Sequence, residues 1–410
     1  MTEVTAAAEK QNYLAAIEKL KSERAPEWLR ALRDTGAAKF AELNFPTRKD
    51  EDWRFTNIAP IVRAQFAPIA APPAHRDATA IKAFSVGDSD CTELVFVDGH
   101  FAPSLSRIAE HAGLTVQNLS AAIESGHPAL EQHAGQVLNG SATIFGALNA
   151  ALVKDGAFIH AAKNAAIAAP VHLWHVSTGQ TAGAANLRNV IALEPNADVT
   201  IVEDYVTLNG GQPYFNNIVT EAVIAEGAHL RRTKIAQEHP EAFHLATTRV
   251  HQDRNSGFHS KSFALDGSIV RNHLDVPLGR EGAECNGTGL YLTDGEKLVD
   301  NLVAVDHAKP NCQSWIGYKG VLADKSRAVF SGQVMVRRDS QLTNSDQLNQ
   351  NLLLSDQATI DTKPLLEIFA DDVKCTHGAT IGQHPEEIIF YFRSRGMSEA
   401  MARGMLTYGF

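Results

Sequence analysis

From about residue 165 onward the chain loses helical periodicity, and this constrains its fold more than any other feature. Short β-rich runs take over: Val171–Val176, Val190–Leu193, Val199–Val202, Ile218–Ala225, Leu298–Val305, Ala328–Phe330, Gln333–Val336 and Leu365–Phe369. Short runs rich in β-branched and aromatic residues read as strands. Among them recurs a small motif of an alanine, a polar residue and an apolar one. It stands at Ala197-Asp198-Val199, Ala228-His229-Leu230, Ala283-Glu284-Cys285 and Ala358-Thr359-Ile360, the first two 31 residues apart. Self-similar strands with small residues at the corners suit stacked coils, as in a β-helix. The spacing is irregular, and a sandwich or barrel gives a similar strand count, so the repeat favours the β-helix only slightly.

The two ends read differently. Tyr13–Leu32 places Leu14, Ile17, Leu20, Trp28, Leu29 and Leu32 at helical spacing between charged residues. The pattern breaks at Phe45, and Ala71-Pro72-Pro73-Ala74 reads as a linker. Glu93–Val97 is strand-like and ends at Asp98-Gly99, while Ile108–Gly113 is helix-like. At the C-terminus Pro385 with Glu386 and Glu387 opens a helix. Ile388, Ile389, Tyr391 and Phe392 give that helix an apolar face, and Gly396 stops it. Ser398 then caps a second helix bearing Met401, Met405, Leu406 and Tyr408.

Composition excludes several classes. A hydrophobic fraction of 44% is that of a globular chain with a large core, not of a disordered one. Lys and Arg number 37 against 47 Asp and Glu, for a net charge of −10 without a basic run, which argues against a nucleic-acid binder. No stretch is long and apolar enough to span a membrane, and Met1-Thr2-Glu3-Val4 opens no secretory signal. Four dispersed cysteines are no disulfide framework. A reducing, cytoplasmic setting is expected.

Catalytic signatures are missing. There is no phosphate-binding loop ending in Gly-Lys-Ser/Thr, no His-Glu-x-x-His helix and no Gly-x-Ser-x-Gly elbow. The chain is therefore not expected to hydrolyse ATP itself. Asn286-Gly287-Thr288-Gly289 reads as a turn. Of 17 histidines, His172 and His175 lie three apart on a strand and should face opposite ways, against a shared metal. His244, His251, His259 and His273 read as scattered surface rungs. Cys285 fills the apolar slot of the repeat and is expected in the core, Cys91 begins a strand, and Cys312 follows Pro310-Asn311 in a loop.

Cys375 differs. It lies in Asp371-Asp372-Val373-Lys374-Cys375-Thr376-His377-Gly378, where the β region gives way to the helical tail. Residues two apart on an extended segment share a face, so the Cys375 thiol and His377 imidazole should project together. Lys374 would favour a thiolate. Thiolate plus imidazole suits iron or zinc, but two ligands do not complete a site, and the rest must come from elsewhere. A structural corner is the competing reading.

Several segments resemble the SufB/SufD family of iron–sulfur cluster assembly proteins, on its SufD side. They are Pro46-Thr47-Arg48-Lys49-Asp50-Glu51-Asp52-Trp53-Arg54-Phe55-Thr56, then Gly317-Tyr318-Lys319-Gly320-Val321-Leu322, and then Arg327-Ala328-Val329-Phe330-Ser331-Gly332. The densest match runs from Asn351 through Thr362-Lys363-Pro364, Asp371–Thr380, Phe390-Tyr391 and Ser394-Arg395-Gly396 to Gly409-Phe410. No clustered N-terminal cysteines of the SufB kind are present.

The resemblance implies a mainly β chain: a right-handed parallel β-helix core over 166–378, flanked by helical domains at 1–165 and 379–410. It implies a non-catalytic scaffold that pairs with a SufB-like paralogue and docks a SufC-like ABC ATPase, which supplies the ATP hydrolysis. A homodimer is the form open to the isolated chain. Cys375 and His377 would face SufB, His377 as the iron ligand and Cys375 as an auxiliary thiol, with a nascent iron–sulfur cluster at that interface and none bound by the chain alone. The aromatic C-terminal helix would pack on the open end of the β-helix, dock the ATPase, or both. Other readings are a SufB-like paralogue, a partner that only positions its neighbours, and an independent polysaccharide-acting β-helix enzyme.

Overall fold

The computed structural model describes residues 3–70, 79–80, 84, 90–136, 143–208 and 211–410. The linker expected at Ala71-Pro72-Pro73-Ala74 lies outside the described residues. The first helices are α1 (Glu3–Lys21), α2 (Glu27–Glu42) and α3 (Ala59–Ala64). The run expected to be one helix is thus two, because Pro26 lacks the N–H a continuing helix would use and instead stands as the N-cap of α2. Strands β1 (Thr92–Val97), β2 (His100–Phe101) and β3 (Leu114–Asn118) precede the short helices α4 (Leu119–Ser125), α5 (Pro128–His133) and α6 (Ile144–Ala151). The helix expected at Ile108–Gly113 is absent. That backbone is committed to the bridges Glu93↔Arg107 and His111↔Leu114 and to a turn at Gly113.

The long ladder starts at β4 (Ala157–Ala161), β5 (Val171–Ser177), β6 (Ala184–Leu193), β7 (Asp198–Thr207) and β8 (Phe215–Ile224). It continues through β9 (His229–Gln237), β10 (Phe243–Gln252), β11 (Gly257–Asp266), β12 (Ile269–Leu278) and β13 (Glu284–Thr293). It closes with β14 (Leu298–His307), β15 (Gln313–Leu322), β16 (Arg327–Val336), β17 (Thr343–Leu353), β18 (Thr359–Ile368) and β19 (Val373–Gly382). Helices α7 (Glu386–Ser394) and α8 (Glu399–Gly409) end the chain.

From β5 on, odd strands pair in parallel in one sheet and even strands in the other, so successive strands alternate between two sheets and each pair makes one coil. The result is a parallel β-helix. The sheets cross the expected boundaries: β1 pairs with β5, β4 with β6, and β19 runs on to Gly382.

The repeat motif now has its cause. Asp198, His229, Gly257, Glu284, Gln313, Asn344 and Lys374 stack in register, one coil taking 27 to 31 residues. Strands keep about one length and the turns vary, which makes the sequence period irregular. Ala197, Ala228 and Ala283 occupy the corner before successive strands of one sheet, with Ser256 on the skipped rung, whereas Ala358 opens β18 in the other sheet. Asn196, Gly227, Asn255 and Gly282 precede these corners with positive φ, which Asn and Gly adopt at least cost. Cys312 follows Asn311 at the equivalent place and is a buried corner residue, not an open-loop one. Ala328–Phe330 and Gln333–Val336 merge into the single strand β16.

Inward positions fill the core with Val199, Ile201, Leu230, Phe258, Cys285 and Ile316 among others. Asn286-Gly287-Thr288-Gly289 is not a turn but the middle of β13. Both glycines face inward, where a Cβ on Gly289 would meet the Tyr318 ring at 2.2 Å and one on Gly287 would meet Ile316 at 2.9 Å. Glycine here makes room for large side chains on the next rung.

The segment around Trp53 is a strap across the even-strand sheet. Arg271 lies 3.9 Å from the Trp53 ring centre and pairs with buried Asp300, which also accepts from Thr56, while Glu51 meets Lys363. Helix α2 packs against α6 with Gly36 at the crossing.

Candidate functional site

Strand β19 is the last rung of its sheet, so one edge of its backbone has no neighbour among the described residues. It pairs with β17 such that Ser345 faces Cys375, Asp346 faces Thr376 and Gln347 faces His377. Cys375 and His377 therefore share the inward row, at the open end of the β-helix where no further coil covers them. Thr376, between them and outward, donates to Asp346 at 2.6 Å and fixes the register.

The two site residues differ in environment. Cys375 packs against Val334, Val336 and Ala370 and is half-buried, whereas His377 is exposed. Burial pushes the Cys375 thiol up, opposed by the Ser345 backbone N–H. The lysine-stabilised thiolate expected from Lys374 is thus corrected: Lys374 alternates onto the outward row, and the thiol is held protonated. No group of three His, Cys, Asp or Glu able to hold a metal occurs among the described residues. Cys375 and His377 offer a soft and a borderline donor from one row, half of a four-coordinate set.

The other cysteines are inert by position. Burial drives the Cys285 thiol up to about 12, and Cys91 and Cys312 are buried with their Sγ atoms toward Pro170 and Arg280 carbonyls. His172 and His175 do face opposite ways: His172 stacks on Trp174 and pairs with Asp204, while His175 stacks on Tyr205 inside the core. His244 is not a surface rung. It is fully buried, meets Glu238 at 2.6 Å and lies edge-on to Tyr205.

Two features escape a reading of the sequence by composition. One is a buried polar cluster inside the early coils: Arg232 donates bidentately to Glu203 at 2.6 and 2.7 Å, and Lys234, beside it, donates to Asn272. Burial lowers the Lys234 ammonium to about 7. The other is the inward row of β17: Thr343, Ser345, Gln347, Asn349 and Asn351, all buried. Inward rows of earlier coils mix apolar with polar residues, as in Leu230, Arg232, Lys234 and Ala236 of β9, so an alternation of five polar residues just under the open end is the signal that could have found it.

That floor is internally bonded. Ser345 meets Ser314 at 2.8 Å, and Ser314 meets His307 at 2.9 Å. Asn349 donates to the Tyr291 hydroxyl, Tyr291 donates to Asn351, and Asn351 donates to Asn349. A separate cavity of about 210 Å³ lies at the other end of the ladder, between α1 and the Asp98–His100 turn, and neither Cys375 nor His377 lines it.

Helices α7 and α8 begin as expected, at the Pro385 N-cap and at Ser398, whose hydroxyl accepts from the Met401 N–H. One contact ties them to an outer row of the ladder. The Lys319 ammonium, on an outward position of β15, sits 5.1 Å from the Phe410 ring centre and donates to its carbonyl. Only Ile389 and Ala402 of the pair are buried, leaving Phe390 at 72% and Tyr408 at 95% exposure.

The family model described as "SUF system FeS cluster assembly, SufBD core domain" matches residues 175–410, and "SufBD protein N-terminal region" matches residues 8–173. The chain belongs to the SufB/SufD family. It is 32% identical over 401 residues to the iron-sulfur cluster assembly protein SufD of Escherichia coli, covering 95% of this chain and 87% of that protein. A SufBD family protein of Synechocystis is 32% identical over 389 residues, covering 92% and 85%. The chloroplastic protein ABCI7 of Arabidopsis thaliana is 28% identical over 401 residues, covering 93% and 81%. Family membership thus extends over both the strap-bearing N-terminal region and the β-helix. Among the described residues no helix is long and apolar enough to cross a membrane.

Proposed function

We propose that this SufD-like member of the family is a non-catalytic scaffold subunit for iron–sulfur cluster assembly in the cytoplasm, and that Cys375 and His377 offer it two ligands for the growing cluster. The observation that carries this reading is their shared inward row on an uncovered last rung. A second chain meeting that end would supply the missing protein ligands, and the unpaired edge of β19 is suited to such pairing. Apolar side chains around the same end support a partner there, with Leu348, Leu365 and Ile381 each at least 38% exposed. A SufB-like paralogue with its own β-helix is the partner we infer.

Helices α7 and α8 serve a second contact. Ile388, Phe390, Tyr391, Met401, Met405 and Tyr408 are all exposed on a helix pair that Lys319 ties to the ladder through Phe410. We assign it to a SufC-like ABC ATPase, in keeping with the lack of any phosphate-binding loop in this chain. Anaerobic affinity purification of the tagged chain tests both contacts. A paralogous β-helix protein and an ABC ATPase should co-purify, with Phe390→Asp releasing only the ATPase. The His377→Ala complex should form but load less cluster. Purification of the chain without either protein, or normal loading by His377→Ala, would defeat the reading.

A further inference from the structure

Five successive inward residues of β17 are polar, and one of them has an atom to spare. Thr343 donates to the Ser340 carbonyl, Ser345 is bonded to Ser314, and Asn349 and Asn351 are bonded to one another and to Tyr291. Gln347 is only 2% exposed, and its Nε2 donates toward the Gly332 carbonyl at 3.4 Å. Its Oε1 accepts no hydrogen bond among the described residues. That oxygen is not sealed off from water, so the glutamine keeps a free acceptor beside the last rung.

The surroundings hold this amide in one place. A Cβ on Gly332 would stand 2.4 to 2.6 Å from its Nε2, Cδ and Oε1, so the glycine on the facing sheet leaves the space the amide fills. Gln347 is also the register partner of His377, one rung away. Rungs are about 4.8 Å apart, within reach of a hydrogen bond between an amide and an imidazole.

We propose that Gln347 positions His377, its amide oxygen accepting the N–H of the ring nitrogen that does not bind metal. The proposal rests on His377 being a ligand. A neutral imidazole carries one N–H, and a fixed acceptor on one nitrogen leaves the other as the lone-pair donor in a set orientation. Cys375 has no such partner: its neighbour Ser345 is bonded to Ser314 instead. The amide thus prepares the exposed donor of the pair, while packing and the Ser345 backbone N–H hold the half-buried one.

The test uses the full chain labelled with ¹⁵N-histidine, with the His377 ring signals assigned by their loss in His377→Gln. The parent chain should show a single neutral tautomer at His377. Gln347→Met, which keeps the volume over Gly332 but removes the acceptor, should show a mixture, and Gln347→Glu should restore the single form. In the co-purified complex Gln347→Met should lower iron affinity about tenfold. Where Gln347→Met unfolds, Gln347→Asn, which draws the amide back by one methylene, serves in its place. An unchanged tautomer in a folded variant lacking the acceptor would overturn the proposal. If His377→Ala loads cluster normally, the ligand reading itself fails, whatever the tautomer does. If His377→Ala loses loading while Gln347→Met alters neither tautomer nor affinity, only the positioning role falls.

Discussion

Cys285 and Cys375 stand in one inward column of the β-helix, three rungs apart, with Ser314 and Ser345 between them. The column runs from a fully enclosed rung to the open one, so its two thiols have opposite access to solvent and partners. Position along the solenoid, more than residue type, separates a core cysteine from a site cysteine.

Native-state alkylation should therefore modify Cys375 alone among the four cysteines. Its rate should climb with pH past the usual thiol range, since burial raises rather than lowers this thiol. Peptide mass mapping after brief iodoacetamide treatment checks this. Equal labelling of Cys285 would mean the inner coils open readily.

The strap depends on a charge pair it covers. Arg271→Met leaves the Asp300 carboxylate buried with Thr56 as its remaining partner, and breaking a buried pair from one side costs about 3–5 kcal/mol. Arg271→Met with Asp300→Leu should recover most of that loss, because no unpaired charge stays behind. Urea unfolding of the single and double variants measures the difference.

Acid should destabilise the chain through its buried and half-buried histidines. Burial lowers the His307 imidazole to about 4, with Asp306 opposing weakly, and His175 and His273 are lowered to about 4 as well. The folded state keeps these rings neutral while the unfolded chain protonates them near 6.5, so stability is full above that value and falls as pH drops toward 4. Replacing His307 with Asn should shrink the loss between about pH 7.5 and about pH 5 by about 2 kcal/mol. Unfolding midpoints at the two pH values decide it.

Gly36 opposes two effects that can be ranked. Alanine in mid-helix normally gains about 1 kcal/mol over glycine. Here its Cβ would sit 2.6 Å from the Ala151 backbone N and 2.8 Å from the Ala147 carbonyl, atoms that cannot step aside without moving α6. Gly36→Ala should destabilise by about 1–3 kcal/mol, an overpacking cost that outweighs the propensity gain. A more stable variant in thermal unfolding would show that the α2–α6 crossing can spread.

By itself the sequence determined the kind of structure. Strand-rich runs, small corner residues, the Pro385 and Ser398 helix starts and the burial of Cys285 are local matters of periodicity, capping and size, and each can be read where it stands. It also placed Cys375 and His377 on one face, because alternation along a strand needs no knowledge of neighbours. What lay beyond it came from register between coils. The glycines of β13 look like a turn until Ile316 and Tyr318 are set on the next rung. His244 looks like a surface residue until Glu238 closes on it, and Cys375 looks like a ready thiolate until Val334 and Val336 of the facing sheet pack on it. Gln347 becomes His377's neighbour only when two strands about 30 residues apart are laid side by side. Turn lengths that vary from coil to coil hide that pairing in the sequence, and only the folded ladder, whose backbone hydrogen bonds fix one register, decides it.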